Sequence, residues 1–247
     1  MEYSVLLKGN NTRTSIGALG ASTVTLVKSH GENILIDVTH YGRRRLLLNA
    51  LSKNNLSPKD IDVVILTHLH WDHALNADLF SNSRIYVSEK ELDYNNRISE
   101  EDPFTIRNFK KLIDHKNIVY TNGGDRINSE VKILDTRGHT EGHLSVAVGN
   151  PNDGFIATGD SITNMRAWNR NRPDIVMFDE NSALKSVEET KKLGYKLIIP
   201  GHDPPFAVSE NSLNFTDTEK VEIIFREDRE KDFKFTFSED SAKKGYL

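Results

Sequence analysis

A chain of 247 residues, 37% hydrophobic and 28% charged, suits one large globular domain spanning residues 1–247. Its formal charge of −4 and pI near 6.1 argue against broad nonspecific nucleic-acid affinity. The absence of cysteine excludes disulfides and thiolate metal ligands, so a metal would have to be held by nitrogen and oxygen.

In chain order, residues 3–8, 22–28 and 33–38 are rich in β-formers, and His30-Gly31-Glu32-Asn33 turns between the last two. Residues 9–20, rich in Gly, Asn and Thr, read as loop. The spacing of Leu47, Ala50 and Leu51 predicts a helix over 44–54. Ser57-Pro58-Lys59-Asp60 predicts a capped helical turn, and 62–66 is a buried strand. A short helix over 74–80 and a strand over 84–87 follow. The polar stretch 88–115 predicts two helical pieces broken near Asp102-Pro103, with its charge on a solvated face.

Short β runs return at 131–136, 144–148 and 154–158. Asn181 or Ser182 is expected to cap a helix that buries Ala183, Leu184, Val187 and Leu193 and stops at Gly194. Another buried strand covers 196–199. Val221, Ile223 and Phe225, then Phe233, Phe235 and Phe237, alternate with polar residues, which predicts a hairpin over about 219–238 with one apolar face. That stripe would serve the core or a homodimer contact. No apolar run reaches membrane-spanning length and the first residues lack a signal peptide's basic flank and apolar core. A cytoplasmic location without membrane association is therefore expected.

Thr67-His68-Leu69-His70-Trp71-Asp72-His73 places three of the nine histidines and a carboxylate within six residues, directly after the apolar run 63–66. If the backbone stays extended, His68, His70 and Asp72 share a face, and a turn at Asp72 brings His73 alongside. The same placement recurs downstream. His139 follows the run 131–136, Asp160 follows 155–158 and His202 follows 196–199, each beside glycine and just past a predicted strand. Strand ends along one sheet edge are where α/β proteins assemble sites. His143, four residues after His139, is expected to support the ligands from behind.

With these motifs in their order, the sequence resembles the metallo-β-lactamase-fold hydrolases over roughly 22–205: His68-x-His70-x-Asp72-His73, Gly138-His139-Thr140, Gly159-Asp160 and Gly201-His202, with Leu35-Ile36-Asp37 resembling an early aspartate strand. The resemblance implies an α/β fold, an αβ/βα sandwich of two mixed sheets flanked by helices. It implies one metal held by His68, His70 and His139, a second by Asp72, His73 and His202, and Asp160 bridging them, with Asp37 steadying the cluster. Imidazole and carboxylate suit two divalent ions, zinc foremost, with manganese or iron as alternatives. Two such ions would lower the pKa of a shared water toward ~7 and clamp the attacking and leaving oxygens, with Asp72 available to protonate the leaving group.

The expected function is hydrolysis of a lactone, thioester or other small carboxylic ester, with a small-molecule substrate. Lack of cysteine departs from the family's β-lactamases that use a cysteine ligand. The alternative is a phosphodiesterase or ribonuclease acting on RNA, suggested by Arg43-Arg44-Arg45 and by Arg166, Arg170 and Arg172 after the bridging aspartate. An iron-dependent oxidoreductase of the same fold is a third reading. Residues 164–172, with Arg166, Trp168 and Arg170, are the expected substrate-contacting loop.

Overall fold

The computed structural model describes residues 1–15, 17–97, 102–113, 115–210, 212–217, 220–226 and 232–238. Its first half runs β1 (Glu2–Leu7), the two-residue strands β2 (Arg13–Thr14) and β3 (Gly17–Ala18), β4 (Val24–Ser29), β5 (Glu32–Ile36), α1 (Arg44–Lys53), β6 (Val63–Ile65), α2 (Trp71–Ala74), β7 (Arg84–Ser88), α3 (Glu89–Arg97) and β8 (Ile118–Thr121). The second half runs β9 (Val131–Asp135), β10 (Leu144–Val148), β11 (Phe155–Gly159), α4 (Met165–Arg170), α5 (Glu180–Lys192), β12 (Leu197–Pro200), β13 (Phe206–Val208) and β14 (Leu213–Phe215). The hairpin β15 (Lys220–Arg226) and β16 (Asp232–Ser238) closes the described chain.

Two six-stranded sheets result, ordered β1-β4-β5-β6-β7-β8 and β14-β13-β12-β11-β10-β9. Both are mixed: β5 through β8 run parallel, as do β11 and β12, and the outer pairs are antiparallel. The apolar runs are continuous because the central strands are buried on both faces. Val63 and Ile65 of β6 point between the sheets, where Ile34, Ile36, Val131, Ile133, Phe155 and Ala157 meet them. Val64 and Leu66 point the other way, into a layer with Leu47 and Leu51 of α1 and Leu92 of α3. On the far side, Ile156 and Ile198 pack with Ala167 and Trp168 of α4 and Val187 of α5. This is the expected αβ/βα sandwich.

The parallel pairing of β5 with β6, and of β11 with β12, has a direct consequence. The C-terminal ends of these strands lie on the same edge of each sheet, so the residues after them are delivered to one place. Cross-sheet hydrogen bonds fix that edge: Leu144 N donates to Thr67 O at 2.8 Å, and Thr23 Oγ1 donates to Pro200 O at 2.7 Å.

Several expectations change in detail. Asp72 does not continue an extended strand, because α2 begins at Trp71 and places Asp72 and His73 in its single turn. Among the described residues of 88–115, one helix forms, α3, followed by a 3-10 turn at Phe109–Lys111 and the start of another at His115. Helix α5 is capped by Asp179, which accepts from Ser182 N at 2.7 Å, so the cap lies before Asn181. Leu184 and Leu193 are exposed, and Ser186 and Thr190 are buried in their stead. The Ser57–Asp60 capping box forms as read. In the hairpin the register sets Val221 opposite Phe237, Ile223 opposite Phe235 and Phe225 opposite Phe233. Its turn, 227–231, lies outside the described residues. Among the described residues no helix is long and apolar enough to cross a membrane.

Candidate metal centre

The chain turns sharply after each of the delivering strands. Gly159 takes a left-handed φ of 50° at the end of β11, presenting Asp160 directly afterwards. Gly201 serves a different need: a Cβ there would lie 2.3 Å from Asp160 Oδ1, so only glycine lets the backbone after β12 pass this close. Two groups of donors gather as a result. Candidate ligand atoms of His68, His70, His139 and Asp160 lie within 4.8 Å of one another, and so do those of Asp72, His73 and His202.

Each histidine has one ring nitrogen committed to an outer acceptor. His73 Nδ1 bonds Asp37 Oδ2 at 2.8 Å, and His70 Nε2 bonds Asp102 Oδ2 at 3.1 Å. His139 Nδ1 donates to Ile175 O at 3.0 Å and His202 Nδ1 to Asn10 O at 3.2 Å. His68 Nδ1 lies 3.0 Å from Thr67 Oγ1, whose own proton goes to Asp37 Oδ2 at 2.9 Å, so the hydroxyl accepts from the imidazole. These acceptors set the tautomers and leave the opposite nitrogens turned inward. There His70 Nδ1 and His139 Nε2 stand 3.1 Å apart, and His73 Nε2 and His202 Nε2 stand 3.4 Å apart.

Two buried atoms, His68 Nε2 and Asp160 Oδ1, have no hydrogen bond. His73 Nε2 and His202 Nε2 each approach that Oδ1 at 3.3 Å, without the angles of a hydrogen bond. His139 Nε2 lies 3.5 Å from Asp160 Oδ2. Buried polar atoms that converge without completed hydrogen bonds are unfavourable unless cations lie among them. The donor set therefore fits divalent metal ions, with Asp160 reaching both groups.

Electrostatics separate the two groups. Burial, reinforced by His73 and His70, holds His68 well below the usual imidazole range, and burial lowers His139 to about 4. Burial acts the same way on His202, but the Asp160 and Asp72 carboxylates outweigh it and push it up to about 9. His73 is likewise raised against burial by Asp160, Asp37 and Asp72. Asp160 is held well below the carboxylate range by His202 and His73, in spite of burial. In the metal-free protein the neighbouring carboxylates thus favour the charged form of His73 and His202, and burial favours the neutral form of His68 and His139.

A pH-dependent difference in metal uptake is expected. Zinc titrated at pH 6 should fill the His68, His70, His139 and Asp160 group first and release few protons there. The Asp72, His73 and His202 group should bind more tightly as pH rises, releasing protons as it fills. Calorimetry in buffers of different ionisation enthalpy reads this directly. Equal uptake and equal proton release for both ions at pH 6 would contradict it.

The supporting residues include two that the sequence reading missed. Asp37, at a φ of 58°, accepts from Thr67 N at 2.8 Å besides His73 and Thr67 Oγ1. His143 accepts from Asp160 N at 2.9 Å through Nε2 and meets Thr136 Oγ1 through Nδ1, so it orients Asp160 and has both ring nitrogens engaged. Glu91 and Asp102 correct the expectation of a solvated 88–115 face, because both are buried. Glu91 accepts from Leu69 N at 3.0 Å, Thr140 Oγ1 at 2.7 Å and Gly142 N at 3.0 Å, tying the two ligand loops together. Asp102 accepts from Tyr94 Oη at 2.8 Å and Phe104 N at 3.1 Å as well as from His70.

The expected loop 164–172 is helix α4, capped by Asn164. Trp168 is 5% exposed and packs edge-on to Phe206, which makes it a core residue and not a substrate contact. Arg166 and Arg170 lie on the exposed face of the same helix.

The family model of the metallo-beta-lactamase superfamily matches residues 17–202. The chain is 32% identical over 170 residues to a probable metallo-hydrolase of Methanocaldococcus jannaschii, covering 69% of this chain and 70% of that protein. It is 26% identical over 160 residues to an N-acyl homoserine lactonase of Bacillus thuringiensis, covering 64% of this chain and 62% of the lactonase. Among solved structures, a putative metallo-beta-lactamase of Thermotoga maritima superposes with a TM-score of 0.67 at 22% identity, covering 84% of this chain and 99% of that one. An N-acyl homoserine lactone hydrolase with N-hexanoyl-L-homoserine bound at its catalytic metal centre gives 0.62 at 21% identity, covering 75% and 82%. On the family match, the two sheets and the gathered donors, the chain belongs to the metallo-beta-lactamase superfamily of metal-dependent hydrolases.

Proposed function

We propose that the protein hydrolyses a lactone, thioester or other small carboxylic ester at a centre of two divalent ions, zinc foremost. The observation that carries the choice of bond is where the arginines go. Arg43 donates to Ser22 O and Lys8 O, each at 3.0 Å, Arg44 binds Asn76 Oδ1 at 2.8 Å and pairs with Asp78, and Arg172 pairs with Glu180 at 2.7 Å. These three of the arginines that suggested phosphate recognition are thus committed to structure, and the case for a phosphodiester weakens accordingly. The likeness to N-acyl homoserine lactonases adds support for a carboxylic ester or lactone.

When bound, such ions supply Lewis acidity to a carbonyl oxygen and acidify water. His68, His70 and His139 would hold one ion and Asp72, His73 and His202 the other, with Asp160 between them. Among the ligand side chains, Asp72 and His202 are each 12% exposed while His68 and His73 are fully buried, so substrate reaches the centre from the Asp72 side. Asp72 is the group we assign to return a proton to the leaving oxygen. Arg166 and Arg170 are proposed to meet an anionic group on the substrate, since α4 follows Thr163, whose carbonyl accepts His202 N at 2.7 Å.

A parallel panel of lactones, thioesters, simple esters, a phosphodiester and single-stranded RNA tests this, with Asp160→Ala as the blank. Turnover of the carboxylic substrates, lost on chelation and restored by zinc, is the expected result. Turnover confined to phosphodiesters or RNA would overturn it.

A further inference from the structure

Most large apolar side chains here are buried, and two exposed ones stand beside ligand histidines. Phe104 is 39% exposed and Phe178 43% exposed. The Phe104 ring lies 5.8 Å from the His70 ring, and its backbone is pinned by Trp71 N to Phe104 O at 2.9 Å and by Phe104 N to Asp102. Phe178 is pinned to the other ligand loop: its amide reaches Gly138 O at 3.3 Å, and the preceding Met177 N donates to His139 O at 2.9 Å. Tyr94 sets its ring edge-on to Phe178 at 6.2 Å and its hydroxyl on Asp102, the carboxylate that also accepts from Phe104 N. Single exposed hydrophobics are ordinary. Two exposed rings held by backbone contacts to the His70 and His139 loops, with a third ring edge-on to one of them, supply an apolar shelf at a reactive centre.

The opposite side is polar. His202 meets the Asn10 carbonyl, Asp72 lies 3.3 Å from His202, and Asp203 accepts from Met165 N at 3.0 Å. A leaving oxygen needs a proton, and the group assigned to supply it is on that polar side. A hydrocarbon needs no polar partner.

Resting on the ester reading above, we infer that Phe104, Tyr94 and Phe178 bind the acyl chain of the substrate on the His70 and His139 side, directing the leaving alcohol toward Asp72, so that the preferred substrates carry a medium-length hydrocarbon acyl group.

The test uses the zinc-loaded full chain and p-nitrophenyl esters from acetate to decanoate. We expect kcat/KM to rise about threefold per added methylene until the shelf is covered. The octanoate-to-acetate ratio should fall about tenfold in Phe104→Ala and in Phe178→Ala, and Phe104→Leu should restore most of it where Phe104→Asn does not. Metal content equal to that of the unaltered protein controls for misfolding. Calorimetry with octanoate and butanoate anions is the second readout, with octanoate expected to bind at least about tenfold tighter. If no ester of any length turns over, the ester reading fails, and the calorimetric comparison still decides the shelf. Equal affinity for the two anions, or a chain-length ratio unmoved in both alanine variants, overturns the inference.

Discussion

Replacing Asp160 with alanine is expected to lower hydrolysis by more than about 100-fold and to leave the protein with less than its full metal content. Removing an outer partner of a metal ligand typically costs about 10–100-fold, and Asp160 is placed among donors of both groups, so its loss should exceed that range. The same substitution has a signature that needs no metal. In the chelated protein, His202 is raised to about 9 by Asp160 against burial, and Asp160 is held low by His202 and His73.

The sign of the linkage follows from each shift. A raised histidine contributes stability that is full below its unfolded value of about 6.5 and is lost as pH rises through about 9. A lowered carboxylate contributes stability that is present above its unfolded value of about 4 and is lost as pH falls through its folded value. The melting temperature of chelated Asp160→Ala should therefore fall furthest behind that of the unaltered protein near pH 5–6, with the gap closing toward pH 10. A gap that does not change with pH would show that Asp160 does not engage these histidines.

The second large effect is structural. Glu91→Ala should destabilise the fold by about 3–5 kcal/mol, which for a chain of this size is a fall of roughly 10 °C in Tm. The side chain is fully buried, burial pushes its carboxyl above the usual range, and three donors pull it back. Without it, Leu69 N, Thr140 Oγ1 and Gly142 N lose their acceptor together. Those groups belong to the loops carrying His68, His70 and His139, so metal should also dissociate faster. Thermal melts of Glu91→Ala beside Glu91→Gln, which keeps one acceptor oxygen, separate the two consequences. A melt within about 1 °C of the unaltered protein would refute the clamp.

Why Glu91 and Asp102 escaped the sequence reading while His139, Asp160 and His202 did not is a matter of range. The ligands sit at ends of apolar runs and beside glycine, and both signals are local. Glu91 is buried because it faces backbone donors 22 and 51 residues away, and Asp102 because it faces His70, 32 residues back. Such acids look like surface charge in any local window, and the polar stretch around them strengthens that impression. Asp72 shows the complementary limit. Its role as a candidate ligand was legible from the motif, but period-two alternation broke at Trp71, where the backbone turns helical and brings Asp72 and His73 round together. Trp168 misled for a similar reason. An aromatic among arginines suggested a contact loop, whereas helical spacing puts it with Ala167 on the buried face of α4.

The proposed hydrolysis rests finally on two ions acting in one reaction. Chelated protein titrated with zinc at pH 9, followed at once for bound metal and for ester hydrolysis, measures that directly. Binding of about two ions per chain, with activity rising steeply as the second is bound, is the predicted result. Full activity at one ion per chain, or no metal bound at all, would contradict it.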